Sequence, residues 1–378
     1  MKKSTTLIPV LLLAALVARL IYIGFACDRH SYVFSDTADY YQAADAIAGG
    51  NLFLLTDGKT ETVFAREPLW PLVLSPFAKF FPQDYLQVRI FISLLLVLSA
   101  YYFIDLLRQF VEEPFAVLGG LLYLFYPFYF YFSGIIIQEP LMTVLLVVLV
   151  WAMLKYTATR ERRYYWTLSV VILLLYYLRV TCIGLVPLLA LPLYVEHASK
   201  AAFRTSLLGT SGFTLLLLPW GFRNYVEFGN FSLLTRMGHV GLPGNEAVGG
   251  IDIQHGGLLK GALDSFSTIP GNLIDYCSPS INNLLSTELV SPVLNAISII
   301  AVTPLLLAAL VGLRRIFEMR FLLLYVALLL YSAPYLLLFG QTRYRLPADF
   351  ILIAFLVMLT QDLFRAISKR ALQRVREA

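Results

Sequence analysis

The chain has 378 residues, 59% of them hydrophobic and 14% charged, with a mean hydropathy of +0.74. Soluble domains carry about a quarter charged residues, so this composition excludes a water-facing fold. Three scattered cysteines, Cys27, Cys182 and Cys277, exclude a disulfide framework, and the formal net charge of +5 belongs to loops flanking a bilayer, with no nucleic acid as partner.

A helix needs about 20 mostly apolar residues to cross the hydrocarbon core. In chain order the candidates are 7–27, 85–107, 114–133, 135–156, 164–178, 180–195, 204–220, 290–312, 319–339 and 347–364. The fifth and sixth are short: two tilted helices around Arg179, or a broken pair. The weaker stretch 68–81 contains Pro71 and Pro76 and reads as interfacial or re-entrant. The predicted fold class is all-α: one integral membrane domain over 1–378, a polytopic transmembrane bundle of about ten spans. Met1-Lys2-Lys3 before an apolar run looks like a signal peptide. Arg19 interrupts that run, which is also long for a signal core, so an uncleaved first helix is expected.

With the N-terminus inside, short loops and ends on the cytoplasmic side hold 17 of the 29 Lys and Arg. This positive-inside bias predicts cytoplasmic N- and C-termini in the inner (plasma) membrane. Two long connections, 28–84 and 221–289, then lie on the extracytoplasmic face, the second with 11 of the 23 glycines. Long loops of this kind tend to carry function.

In the first loop, Tyr40, Tyr41, Ala44, Ile47 and Ala48 recur at helical spacing, which predicts an amphipathic helix on the membrane surface. Ser35 or Asp36 starts it, and Gly49-Gly50 ends it. Asp36 reads as an N-cap, and a carboxylate fixed there is also placed to accept a proton. Glu139, in Gln138-Glu139-Pro140-Leu141, opens an otherwise apolar helix. An ionisable group at membrane depth is a functional candidate. Arg66, Arg89, Arg179, Arg223, Arg343 and Arg345 gather at the outer edge, where positive charge is normally sparse. Singly each reads as a snorkelling side chain; together, beside two carboxylates, they suit the oxygens of a membrane-borne phosphate. The aromatic run Tyr126 to Phe132 reads as an interfacial belt. His30, His239 and His255 show no metal-ligand spacing.

The order Asp36-x3-Tyr40-x3-Ala44-x2-Ile47-x-Gly49 after a first transmembrane helix resembles the opening of GT-C fold glycosyltransferases. These membrane enzymes use polyprenyl-phosphate sugars and include the protein O-mannosyltransferase and lipid A aminoarabinose transferase group. Arg66-Glu67-Pro68-Leu69-Trp70-Pro71, Gln138-Glu139-Pro140-Leu141, Pro219-Trp220-Gly221-Phe222-Arg223-Asn224-Tyr225 and Arg343-Tyr344-Arg345-Leu346-Pro347 resemble later elements of that family, in order. Asp36-Thr37 stands where the family often has Asp-Glu.

The resemblance implies an inverting hexosyl- or pentosyltransferase. It would move sugar from a polyprenyl-phosphate donor to a glycan, lipid or protein acceptor at the extracytoplasmic face. Asp36 is then the expected base, with Asp39 its competitor one turn on. Glu139 is the second acid, orienting the acceptor or holding a metal; a divalent ion is the one cofactor left open. Arg343, Arg345, Arg179 and Arg223 are expected to hold the donor phosphate. Arg66, Tyr40, Asn224 and Tyr344 are expected in the substrate loops. A transporter or flippase of lipid-linked sugars, and a glycan polymerase or ligase of different fold, are the rival readings.

Overall fold

The computed structural model describes residues 4–32, 35–50, 55–56, 61–62, 67–228, 231, 269–278, 292–338 and 342–377. The chain opens with α1 (Ser4–Ala26), α2 (Ser35–Ala48) and a minimal antiparallel pair, β1 (Leu55–Thr56) and β2 (Glu61–Thr62). It continues through α3 (Leu69–Phe80), α4 (Leu86–Leu107), α5 (Glu113–Leu124), α6 (Pro127–Tyr131), α7 (Glu139–Thr159) and α8 (Arg162–Leu178). A 3₁₀ stretch, Val180–Ala190, leads into α9 (Leu191–Val195) and α10 (Lys200–Phe228). The last part holds α11 (269–277), α12 (Pro292–Gly312), α13 (Met319–Leu338), α14 (Thr342–Arg345) and α15 (Asp349–Glu377).

Seven helices among the described residues are long and apolar enough to cross a membrane, and the pair α5–α6, bent by 49°, raises this to eight. This does not confirm the exact count of ten. The segment 164–178 belongs to a 17-residue helix, α8, and 180–195 is a shorter apolar helix, Val180–Val195. The broken-pair reading fits this region. Helices such as α1, α10 and α12 present Val10, Leu13, Leu215, Ile300 and Leu310 outward, the apolar rim a lipid-facing bundle needs.

The bend between α5 and α6 explains the arginine in the first span. Pro127 has no N–H to continue the helix, so carbonyls near the break need other donors. Arg19 is fully buried and supplies them, donating to Leu124 O (2.6 Å), Tyr129 O (2.5 Å) and Ser133 Oγ (2.5 Å). The aromatic run beside it departs from the expected belt. Tyr126, Phe128, Tyr129 and Phe132 are buried, because the bend turns α6 into the core.

The first long connection contains helices, as expected, and the apolar face of α2 is covered by protein. Tyr40, Tyr41, Ala43 and Ala44 are buried, and the helix packs on α3. Tyr41 meets Tyr85 edge-on, with ring centroids 4.8 Å apart. Gly50, at φ +91°, turns the chain out of α2 in a conformation that a side chain would strain. The segment 68–81 is a short helix anchored by buried Trp70, Pro71, Leu74 and Ala78.

Candidate active site

Four elements distant in sequence meet at one end of the bundle. Asp36 stands in the first turn of α2, whose start is pinned when Thr37 Oγ1 donates to Ile136 O at 2.8 Å. Glu139 is the first residue of α7, and Pro140 occupies the first turn, where its missing N–H costs no hydrogen bond. Arg179 is the single extended residue between α8 and the 3₁₀ stretch. Arg343 sits on α14, the short turn before α15.

The Arg343 guanidinium bridges the two acids. Nη2 donates to Asp36 Oδ2 at 2.7 Å, and Nε donates to Glu139 Oε1 at 2.6 Å. Arg179 Nη1 reaches the same Glu139 oxygen at 3.3 Å. Side-chain exposure runs from 0% for Glu139 through 7% for Arg179 and 12% for Arg343 to 24% for Asp36. Asp36 is therefore the acid open to a ligand, and Glu139 the one held behind it.

Tyrosines complete the wall. Tyr344 and Tyr335 stack with centroids 5.0 Å apart and an interplanar angle of 16°, and the Arg179 Cζ lies 4.3 Å from the Tyr344 centroid. Tyr331 Oη fixes the Tyr344 backbone by donating to its carbonyl at 2.8 Å. With its amide oriented to satisfy both atoms, Gln138 donates to Leu178 O (2.8 Å) and accepts from Arg179 Nη1 (3.1 Å).

Burying a carboxylate costs several kcal/mol even after relaxation, and Glu139 recovers this only through two guanidinium groups. Its second oxygen, Oε2, is buried and meets no hydrogen-bond partner among the described residues. Such an arrangement is poor economy for stability and typical of a working site.

The other expected residues fall in different places. Tyr40 is buried on α2, and Asp39 is exposed one turn on from Asp36. Arg223 is buried on α10 and lies 4.9 Å from the Trp220 ring centroid, and Trp220 packs with Ala43 of α2 and with Tyr177. Arg345 is not brought to the acids. Residues two apart on a helix face away from each other, and Arg345 points to Asp349 (2.9 Å) and to the carbonyls of Tyr276 and Ser278 (3.0 Å each). Arg66 lies outside the described residues, as does the side chain of Asn224. Arg89 serves the backbone, donating to Gly134 O, Asp28 O and Ser31 O.

Among the described residues no three His, Cys, Asp or Glu side chains come together. Between Asp36 and Glu139, the place a bridging ion needs is filled by the Arg343 guanidinium. As arranged, the pair does not fit a divalent ion. His239 and His255 lie outside the described residues, and His30 is exposed with Nδ1 3.0 Å from Gln83 O.

Sequence reasoning missed Gln138, Tyr335 and Glu67 as parts of this region. Gln138 and Glu67 adjoin residues it did name. Tyr335 sits inside an apolar helix, where nothing local separates it from core aromatics.

No family model matches the chain, and no curated protein matches it by sequence. Solved structures do match its fold. ArnT from Cupriavidus metallidurans superposes with a TM-score of 0.62 at 14% identity, over 94% of this chain and 59% of that one. The same protein bound to undecaprenyl phosphate gives 0.61 at 13% identity, over 94% and 60%. The archaeal oligosaccharyltransferase AglB from Archaeoglobus fulgidus, in complex with an inhibitory peptide and a dolichol-phosphate, gives 0.59 at 14% identity, over 99% and 52%. The chain thus spans between half and three-fifths of the length of these neighbours, and it shares their fold, the GT-C fold.

Proposed function

We propose that this GT-C fold chain is a membrane glycosyltransferase that takes a sugar from a polyprenyl-phosphate carrier and passes it, with inversion, to an acceptor hydroxyl or amine. The observation that carries this is the Arg343 guanidinium held between Asp36 and Glu139. A base and a phosphate-seeking cation are within one side chain's reach of each other, at the end of an apolar bundle. Two of the neighbours were solved with a lipid phosphate bound, undecaprenyl phosphate in one and dolichol-phosphate in the other.

In this reading the acceptor oxygen or nitrogen attacks the anomeric carbon while Asp36 takes its proton. The bond from that carbon to the phosphate oxygen breaks, and its electron pair leaves with the polyprenyl phosphate. Charge builds on that phosphate, and the Arg343 guanidinium, held beside Asp36, is the donor we assign to it. A positioned base contributes about 10²–10⁴-fold. Glu139, held from behind by Arg179, fixes Arg343. Arg179 adds positive potential beside Glu139, Arg223 keeps its expected phosphate role as a proposal, and Arg345 acts on the fold. The loop charges favour the extracytoplasmic face of the inner membrane for this chemistry, with both termini cytoplasmic. The sugar is a hexose or pentose, and the acceptor a glycan, lipid or protein.

The test is full-length protein in proteoliposomes carrying an undecaprenyl-phosphate-linked sugar, with envelope extract as acceptor. Covalent transfer is the expected result. Movement of the intact lipid-linked sugar between leaflets without transfer contradicts the proposal and favours a flippase.

A further inference from the structure

Glu67 belongs to none of the roles above, yet the fold takes care to fix it. It immediately precedes Pro68 and α3, whose Trp70 and Leu74 are buried in the core, so its backbone has little freedom. Its side chain is buried too, and Oε1 accepts the Val180 N–H at 2.9 Å, 113 residues further on.

That hydrogen bond falls where α8 stops. The Arg179 N–H still bonds to Leu175 O at 2.8 Å in helical fashion. The next donor, Val180 N–H, would turn to the carbonyl four residues back if the helix continued. Glu67 takes it instead, and Arg179 adopts extended angles (φ −159°, ψ 121°) before the 3₁₀ stretch begins. A carboxylate is also the favoured charge at the start of a helical segment. The break decides the direction of Arg179: from an extended backbone its guanidinium reaches Glu139 and lies over Tyr344.

We propose that Glu67 is a positioning residue. By holding the Val180 N–H it fixes the break that aims Arg179 at Glu139. The proposal rests on the functional reading of the site above. What Glu67 supplies is an acceptor oxygen, so the amide of glutamine serves in its place.

The experiment is a double-mutant cycle on full-length protein in nanodiscs, measuring kcat and KM with an undecaprenyl-phosphate-linked sugar and envelope extract. Glu67→Ala and Arg179→Ala each lose about ten- to a hundred-fold in kcat/KM, the double variant loses no more than Arg179→Ala, and Glu67→Gln stays near wild type. Additive losses, or a Glu67→Gln variant as impaired as Glu67→Ala, overturn the role. If Glu67→Ala does not fold, Glu67→Asp, which withdraws the carboxylate by one methylene, enters the same cycle with the same non-additivity expected. Full turnover by Arg179→Ala contradicts the reading of the site and this proposal with it. A crippled Arg179→Ala beside an additive Glu67 loss overturns the Glu67 role alone.

Discussion

Arg343 and Arg345 are two residues apart and live in different environments. Arg343 meets the two acids, whereas Arg345 is buried with Asp349, whose other oxygen accepts from Tyr126 Oη at 2.6 Å. Removing one partner of a buried pair strands the other, at a cost of about 3–5 kcal/mol. Arg345→Gln therefore lowers the thermal unfolding midpoint in nanodiscs sharply, while the folded fraction keeps its turnover. Arg343→Lys does the opposite. A lysine carries a point charge on one nitrogen and cannot bridge two carboxylates as a planar fork does, so turnover falls about ten- to a hundred-fold with the unfolding midpoint little changed. The sequence showed both arginines and both acids, since charges at the edge of apolar runs are conspicuous. Which arginine faces the acids depends on the rotation of a four-residue helix, and no periodicity reveals that.

The elements that build the site are held by close contacts and by a few ion pairs outside the bundle. Gly184, in the 3₁₀ stretch behind Arg179, lies where an added Cβ would meet the Leu330 carbonyl and the Pro334 ring of α13. Backbone cannot yield as a side-chain tip does, so Gly184→Ala pushes the stretch off α13 and lowers both stability and turnover. Ahead of α4, Arg29 pairs with Asp84, and the hydrogen bond from Arg29 holds the Asp84 carboxyl below its ordinary value. A group lowered on folding stabilises above its unfolded pKa, and that contribution is lost as pH falls through the lowered value. The unfolding midpoint of the wild type should thus drop on acidification more than that of Asp84→Asn; the effect is small because the pair is exposed. Most of these elements were legible as apolar runs. A break at Arg179 was legible as one of two readings, whereas the bend at Pro127 was not, because it depends on a distant partner, Arg19.

Across the whole molecule, the long-range meeting of residues 36, 139, 179 and 343 is the property that no local segment encodes. Composition and the apolar runs gave the membrane bundle, and the ordered motifs pointed to the GT-C fold that the solved neighbours share. The expected ten spans and the seven or eight long apolar helices among the described residues differ chiefly at 164–178 and 180–195, which are short. The packing of α2 against α3 carries Asp36, in the first turn of α2, to Arg343. The most direct test of the account is the turnover of an undecaprenyl-phosphate-linked sugar by purified wild type, Asp36→Asn and Asp39→Asn. The account predicts that Asp36→Asn loses at least about a hundred-fold while still folding, and that Asp39→Asn, exposed one turn away, keeps most of its activity. An Asp36→Asn protein that transfers sugar at the wild-type rate would contradict it.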